Sequence, residues 1–259
     1  MVTIAIEDLK FANIQAIIFD KDGTLENSAD FLRELAIKRA RLIDAQIPGI
    51  GEPLLMAFGI NEGILDSTGL MAVGSHSENE IAAAAYIAET GRGWIEAKQI
   101  ARKAFAEADK YINKQNVSSS IFPDSLAVLK LLSAANLKLG ILSADSTANV
   151  EEFVRSHQLG RYIQLAVGVD SGLNKPDPQL FIQACYRLGV EPAKTIMVGD
   201  SLADLIMAQA AGAAGTIGIC WNCPNANHLR QADVTIASLT EIQILNSGKQ
   251  QYSIEQISC

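Results

Sequence analysis

The chain has 259 residues, a net charge of −8 and a pI near 4.9, with 49% hydrophobic and 19% charged residues. That is a globular composition, not a disordered one. Its acidity argues against a phosphate-backbone binder while leaving room for a small phosphorylated ligand at a site of local positive charge. The N-terminal stretch MVTIAIEDLKF lacks a basic n-region, and the longest apolar run, residues 81–88, is far too short to span a membrane. A cytoplasmic protein with no membrane and no nucleic-acid partner is expected. Its oligomeric state is open.

In chain order, the first buried strand falls at 14–19 (IQAIIF) and ends at Asp20. Residues 28–120 then show no strand pattern. Apolar positions Leu32, Leu35, Ala36, Ala40 and Ile43 give a helix over 30–46, and residues 48–53 (PGIGEP) break it. Ser77-Glu-Asn-Glu80 is read as a capping box opening an Ala-rich helix to Glu89. Trp94, Ala97, Ala101, Ala104, Phe105 and Ala108 mark one face of a helix over 93–115. From there, strands at 138–142, 164–167, 195–199, 216–219 and 234–236 alternate with helices at 124–135, 147–158, 178–188 and 202–211. Short apolar strands alternating with helices make an α/β, doubly wound parallel-sheet core. The expected domains are a core of 1–27 and 121–259, with an all-helical cap of 28–120 inserted. The last dozen residues read as a loose tail.

In such a sheet, ligands bind beyond the carboxyl ends of the strands, where Asp20, Ser143 and Asp200 fall. Asp20-Lys-Asp22-Gly-Thr24 sets two carboxylates two residues apart. Asp20 can act as an in-line nucleophile, and Asp22 as acid to the leaving oxygen and then base to water. Gly23 permits the tight turn, and the Thr24 hydroxyl is expected to hold it. Asp200-Ser-Leu-Ala-Asp204 suits oxygen coordination of Mg²⁺, although Ser201-x-x-Asp204 also matches a helix cap. Ser143 precedes a helix start, a natural phosphate site, unless it or Ser146 only caps that helix. Lys175 stands on a rigid Asn174-Lys-Pro-Asp-Pro178 turn, with Asp177 as cap and Pro178 in the first turn. Cys220-x-x-Cys223 has no second half and reads as ordinary thiols. His76, His157 and His228 are scattered and suggest no metal cluster.

Taken together, FDKDGTL (19–25), LS (142–143), KPDP (175–178) and VGDSLAD (198–204) resemble the motifs of the haloacid dehalogenase-like (HAD) superfamily of hydrolases. The helical insert resembles the cap of its phosphoglycolate-phosphatase-like branch. The resemblance implies a Rossmann-like, HAD-type core and a phosphatase acting on a small phosphorylated metabolite. It makes Asp20 the nucleophile, Asp22 the acid/base, and Ser143 and Lys175 the phosphate ligands. It assigns Mg²⁺ to Asp20, the Asp22 carbonyl and Asp200, with Asp204 in direct or indirect support and Gly23 and Thr24 supporting the loop. A mutase of the β-phosphoglucomutase type shares every motif, and a non-catalytic binding module of the same fold is the third reading. Asn27 replaces the usual Asp near the cap hinge. Asp145 follows the second motif and would repel phosphate unless it faces the cap or a cation. Charge balance with Mg²⁺, Lys175 and a phosphate dianion asks one carboxylate to hold a proton, and the acid role assigns it to Asp22. Cap hinges are expected near 25–28 and 118–123. Arg92 and Lys98 are candidate cations for a carboxylated substrate.

Overall fold

The computed structural model describes residues 2–114, 120–170, 172–221, 226–246 and 251–252. Serines 118 and 119 of the second hinge, Cys223 and the tail 253–259 lie outside the described residues. The elements run β1 (Val2–Ile6), β2 (Leu9–Ile14), β3 (Ala16–Phe19), β4 (Glu26–Asn27), α1 (Ala29–Asp44), α2 (Gly51–Phe58), β5 (Ile60–Asn61), β6 (Ile64–Leu65), α3 (Leu70–Val73), α4 (His76–Glu89) and α5 (Trp94–Lys114). Then come β7 (Ser120–Ile121), α6 (Ser125–Ala134), β8 (Lys138–Leu142), α7 (Thr147–Ser156), β9 (Leu165–Val167), α8 (Pro178–Leu188), β10 (Thr195–Gly199), α9 (Leu202–Ala210), β11 (Gly215–Ile219), β12 (Val234–Ile236), β13 (Gln243–Asn246) and β14 (Gln251–Tyr252). The chain divides into two compact units, Met1–Asn27 with Ile121–Cys259, and Ser28–Ser120.

The first unit is built on a six-stranded parallel sheet of order β12-β11-β10-β3-β8-β9. All four residues of β3 are buried. Ala16 and Ile18 pack with α8 and α9 residues such as Phe181, Leu188 and Met207. Ile17 and Phe19 point to the opposite core, with Val128, Leu132 and Phe153. That alternation explains why the strand reads as a continuous apolar run: helices cover both faces. The chain leaves β3 for β8 on one side and later returns to β10 on the other. This places a topological switch at the carboxyl end of β3, where α/β sheets form ligand crevices.

A second, antiparallel sheet of order β14-β13-β1-β2 was not anticipated from the sequence. Residues 2–14 form its hairpin, turning at Glu7 with φ 50°. Its inward residues Ile4, Ile6, Phe11 and Ile244 join the core that holds Ile17 and Phe19. Gly215 lets this happen, because a Cβ there would stand 2.2 Å from the Phe11 ring.

The second unit has its own core: Leu35, Ala36, Ala40 and Ile43 of α1, Leu54 and Phe58 of α2, Ala83, Ala84 and Ile87 of α4, and Ala97 to Ala108 of α5. The helices follow the sequence pattern closely, but this unit is not all-helical. Ile60 pairs with Leu65 and Asn61 with Ile64 across a two-residue loop, Glu62-Gly63, with both φ positive. That is the tight-hairpin conformation Gly favours, and strands of two residues leave no periodicity to read. The helix start at 76 also differs from the Ser77 reading. Ser75 is the cap: its Oγ accepts from the Glu78 N–H while the Glu78 carboxylate accepts from the Ser75 N–H. Among the described residues no helix is long and apolar enough to cross a membrane.

Candidate active site

Asp20 leaves β3 with its N–H donating to the Val198 carbonyl, so it emerges beside Asp200 at the end of β10. The loop after it folds tightly, with the Leu25 and Glu26 N–H groups donating to the Lys21 carbonyl and Gly23 N–H to the Glu26 carbonyl. Gly23 sits at φ +73°, and a Cβ on it would meet Asp200 Oδ2 at 1.9 Å. The glycine therefore serves the turn and also lets a carboxylate from a second strand press against it. Thr24 does not act as expected. Its Oγ1 is buried without a hydrogen-bond partner, and the loop is held instead by the Trp221 indole N–H donating to the Thr24 carbonyl at 3.1 Å.

Carboxylate oxygens of Asp20, Asp200 and Asp204 all lie within 4.8 Å of one another. The Lys175 ammonium stands 2.6 Å from Asp20 Oδ1 and 2.7 Å from Asp204 Oδ1. Its turn is built as the sequence indicates: Asp177 caps α8 by accepting the Gln179 N–H, with Pro178 as first residue. Asp204 serves two ends at once. Its Oδ2 accepts from Ser201 Oγ–H at 2.6 Å and from the Ser201 N–H, completing a capping box on α9, while Oδ1 faces Lys175. The Asp200 carbonyl accepts from His228 Nε2, which assigns the proton of that ring to Nε2. No scanning of isolated histidines would reveal this contact, because it depends on a fold across strands β10 and β11.

Burial pushes the Asp20 carboxyl up to about 7. Lys175 opposes the shift, and Asp204 and Asp22 add to it. Asp200 is raised well above the usual range, by burial first and then by repulsion from Asp20 and Asp204. Burial alone would lower Lys175, but Asp20 and Asp204 outweigh it and keep the ammonium charged. Ionising all three carboxyl groups against one ammonium would leave an excess of negative charge in a largely buried site of hard oxygen donors, which is why burial and mutual repulsion hold Asp20 and Asp200 up. Such a site fits a small divalent cation, with Asp20 and Asp200 the freer donors and Asp204 already engaged by Ser201 and Lys175.

The Asp22 carboxylate lies outside that cluster. Both its oxygens are within 2.9 Å of Lys21 Nζ. Lys21 also reaches Glu26 Oε2 at 2.7 Å and Asp145 Oδ2 at 3.3 Å. Asp145 therefore does face a cation, and that cation is the residue between Asp20 and Asp22. Ser143 is buried at the end of β8, where its Oγ accepts the Asp145 N–H, while Ser146 caps α7. The two readings of this segment thus separate: Ser146 is the cap and Ser143 is left for another role. Arg92 of the second unit donates to Thr90 Oγ1 and pairs with Glu96.

A family model described as haloacid dehalogenase-like hydrolase matches residues 14–212. The chain is 27% identical over 237 residues to the phosphoglycolate phosphatase of Neisseria meningitidis serogroup A / serotype 4A, covering 89% of this chain and 92% of that protein. It is 28% identical over 241 residues to the phosphoglycolate phosphatase of Escherichia coli K12, covering 90% and 92%. A probable phosphatase, IndB, of Dickeya dadantii is 31% identical over 125 residues, a match spanning 47% of this chain and 54% of that protein. Among solved structures, a predicted phosphoglycolate phosphatase from Haemophilus somnus 129pt superposes with a TM-score of 0.64 at 20% identity, covering 88% of this chain and 96% of that one. A HAD phosphatase from Thermococcus onnurineus gives 0.57 at 22% identity, covering 88% and 95%. At those identities the two structures establish a shared fold. With the family match spanning more than half its length, the chain belongs to the haloacid dehalogenase-like hydrolases and is an enzyme of that family.

Proposed function

We propose that the enzyme is a Mg²⁺-dependent phosphatase of a small phosphomonoester, working through an aspartyl-phosphate on Asp20. The observation that carries this reading is the group of buried Asp20 and Asp204, half-buried Asp200 and the Lys175 ammonium beyond the carboxyl edge of the sheet. The two near-full-length curated relatives named above are phosphoglycolate phosphatases, which supports a small phosphorylated hydroxy acid as the substrate.

Asp20, Asp200 and the Asp22 carbonyl would hold the ion, with Asp204 supporting through Lys175 and Ser201. When bound, Mg²⁺ supplies charge neutralisation for the phosphoryl oxygens and the carboxylates. Asp20 attacks phosphorus in line, and the bond to the ester oxygen breaks as Asp22, having exchanged one of its two Lys21 contacts for a proton, gives that proton to the leaving oxygen. Asp22, now ionised, takes a proton from water, whose oxygen attacks the same phosphorus, and phosphate departs with Asp20 restored. Ser143 donates its hydroxyl to the phosphoryl group, and Lys175 provides a point charge. The second unit, Ser28–Ser120, is on this reading the cap domain that selects substrate.

The test is a panel of phosphorylated metabolites with Mg²⁺, read as kcat/KM, with both phosphate and isomeric products assayed. Release of inorganic phosphate is expected, and Asp20→Asn should cut kcat by about 10³-fold or more. Isomer formation without phosphate release would move the assignment to a mutase. An Asp20→Asn protein as active as wild type would remove the covalent mechanism.

A further inference from the structure

Within this phosphatase reading, we propose that Lys21 is a positioning residue for proton transfer: it fixes the Asp22 carboxylate and ties the nucleophile loop to the phosphate loop through Asp145. The side chain is 6% exposed, and its ammonium touches three carboxylates from two segments. Asp22 and Glu26 belong to the loop after β3, and Asp145 to the loop after β8. No ammonium donor is needed to hold the nucleophile loop closed, since its backbone N–H groups already converge on the Lys21 carbonyl. What the ammonium adds is direction. It meets both Asp22 oxygens and so holds the ionised carboxylate in one orientation, and one of the two contacts is given up when Asp22 carries the proton it donates.

The second arm runs through Asp145. Its Oδ1 accepts from the Ser146 N–H and from Asn149 Nδ2, and its own N–H donates to Ser143 Oγ. Ser143 Oγ is the acceptor in that contact, which leaves its hydroxyl proton unused by it. Lys21 holds the far oxygen of Asp145. A single buried cation thus couples the acid/base carboxylate to the hydroxyl assigned to phosphate, and it balances a carboxylate that would otherwise repel the substrate. The Asp22 and Asp145 carboxylates and Lys21 belong together: the acidic residue in the second motif is tolerable because the residue between the motif aspartates is a lysine.

The experiment compares leaving groups. p-Nitrophenyl phosphate expels a stabilised phenolate and needs little help from an acid, whereas an alkyl phosphate such as 2-phosphoglycolate requires protonation of its leaving oxygen. Lys21→Met should lose kcat/KM on the alkyl phosphate at least tenfold more than on the aryl phosphate, within the range general acid catalysis contributes, roughly 10²-fold to 10⁴-fold. A merely structural lysine would depress both alike. Should Lys21→Met fail to fold, the double variant Lys21→Met/Glu26→Gln carries the same comparison, because it removes one positive and one negative charge together. A folded variant that loses equal factors on both substrates, or neither, overturns this inference and leaves the phosphatase reading standing. A wild-type protein that releases phosphate neither from these two substrates nor from any member of the metabolite panel overturns that reading, and this inference with it.

Discussion

Gly23 carries a constraint that no other residue type can meet. It combines a left-handed backbone with contact from Asp200, whose Oδ2 would lie 1.9 Å from any Cβ. The backbone conformation alone costs an alanine about 1 kcal/mol, and the clash comes on top of it. Gly23→Ala should therefore displace Asp200 from Asp20. Its expected signature is a Mg²⁺ activation midpoint raised by roughly 10–100-fold, the range typical when a ligand's support is lost, with kcat/KM falling in step. An unchanged Mg²⁺ midpoint would show that Asp200 is not pressed on the glycine in solution. Lys21 makes the complementary point. In the sequence it is the spacer of Asp20-Lys-Asp22, and nothing local says that it is buried. Its contact with Asp145 forms because the loop after β8 comes to it.

At the scale of elements, the carboxylate of Asp204 shows why a cap and a site residue need not be alternatives. Ser201-x-x-Asp204 is legible as a capping pattern, and it does cap α9. The same carboxylate reaches Lys175 because α9 begins directly at the end of β10. The capping box of α4 tests how finely such patterns are read. Ser75 and Ser77 both stand before an acidic residue, yet only Ser75 exchanges hydrogen bonds with its partner. Ser75→Ala should cost about 1 kcal/mol of unfolding free energy and Ser77→Ala only a few tenths, measured by urea denaturation. The reverse ranking would shift the helix start by two residues. The β1–β2 hairpin was overlooked for a different reason. Its alternation, VTIAI and LKFANI, is present in the sequence, but its other partner, β13, lies more than 200 residues away.

Across the whole molecule, part of the acidic excess behind the net charge of −8 meets in one cluster, Asp20, Asp200 and Asp204. In the metal-free protein Asp20 holds its proton up to about pH 7, against an ordinary value of 3.8. The folded state then binds that proton more tightly than the unfolded chain does. The resulting stability is complete below about pH 3.8 and is lost as pH rises through 7. With EDTA present, the stability advantage of wild type over Asp20→Asn should shrink between about pH 4 and 7, read by thermal unfolding. Saturating Mg²⁺ should reverse that loss, since a ligand at about 100 times its Kd adds about 2.7 kcal/mol. A pH profile identical with and without Mg²⁺ would argue against an ion at these carboxylates.

The sequence by itself determined the parallel-sheet core, the order of its strands and helices, and which acidic residues stand at strand ends. Each of those is written in local periodicity and in residues adjacent along the chain, and β3 with its Asp20 is the clearest case. Tertiary structure alone decided what those side chains meet. It brought Asp200 against Gly23, placed Lys175 between Asp20 and Asp204, gave Lys21 its three carboxylates, and left the Thr24 hydroxyl without a partner. It also formed the antiparallel sheet from the two ends of the chain. The physical reason is one of range. Backbone periodicity is set within a few residues, whereas ion pairs and close approaches depend on atoms that folding brings together from as far apart as Asp20 and Lys175, 155 positions along the chain.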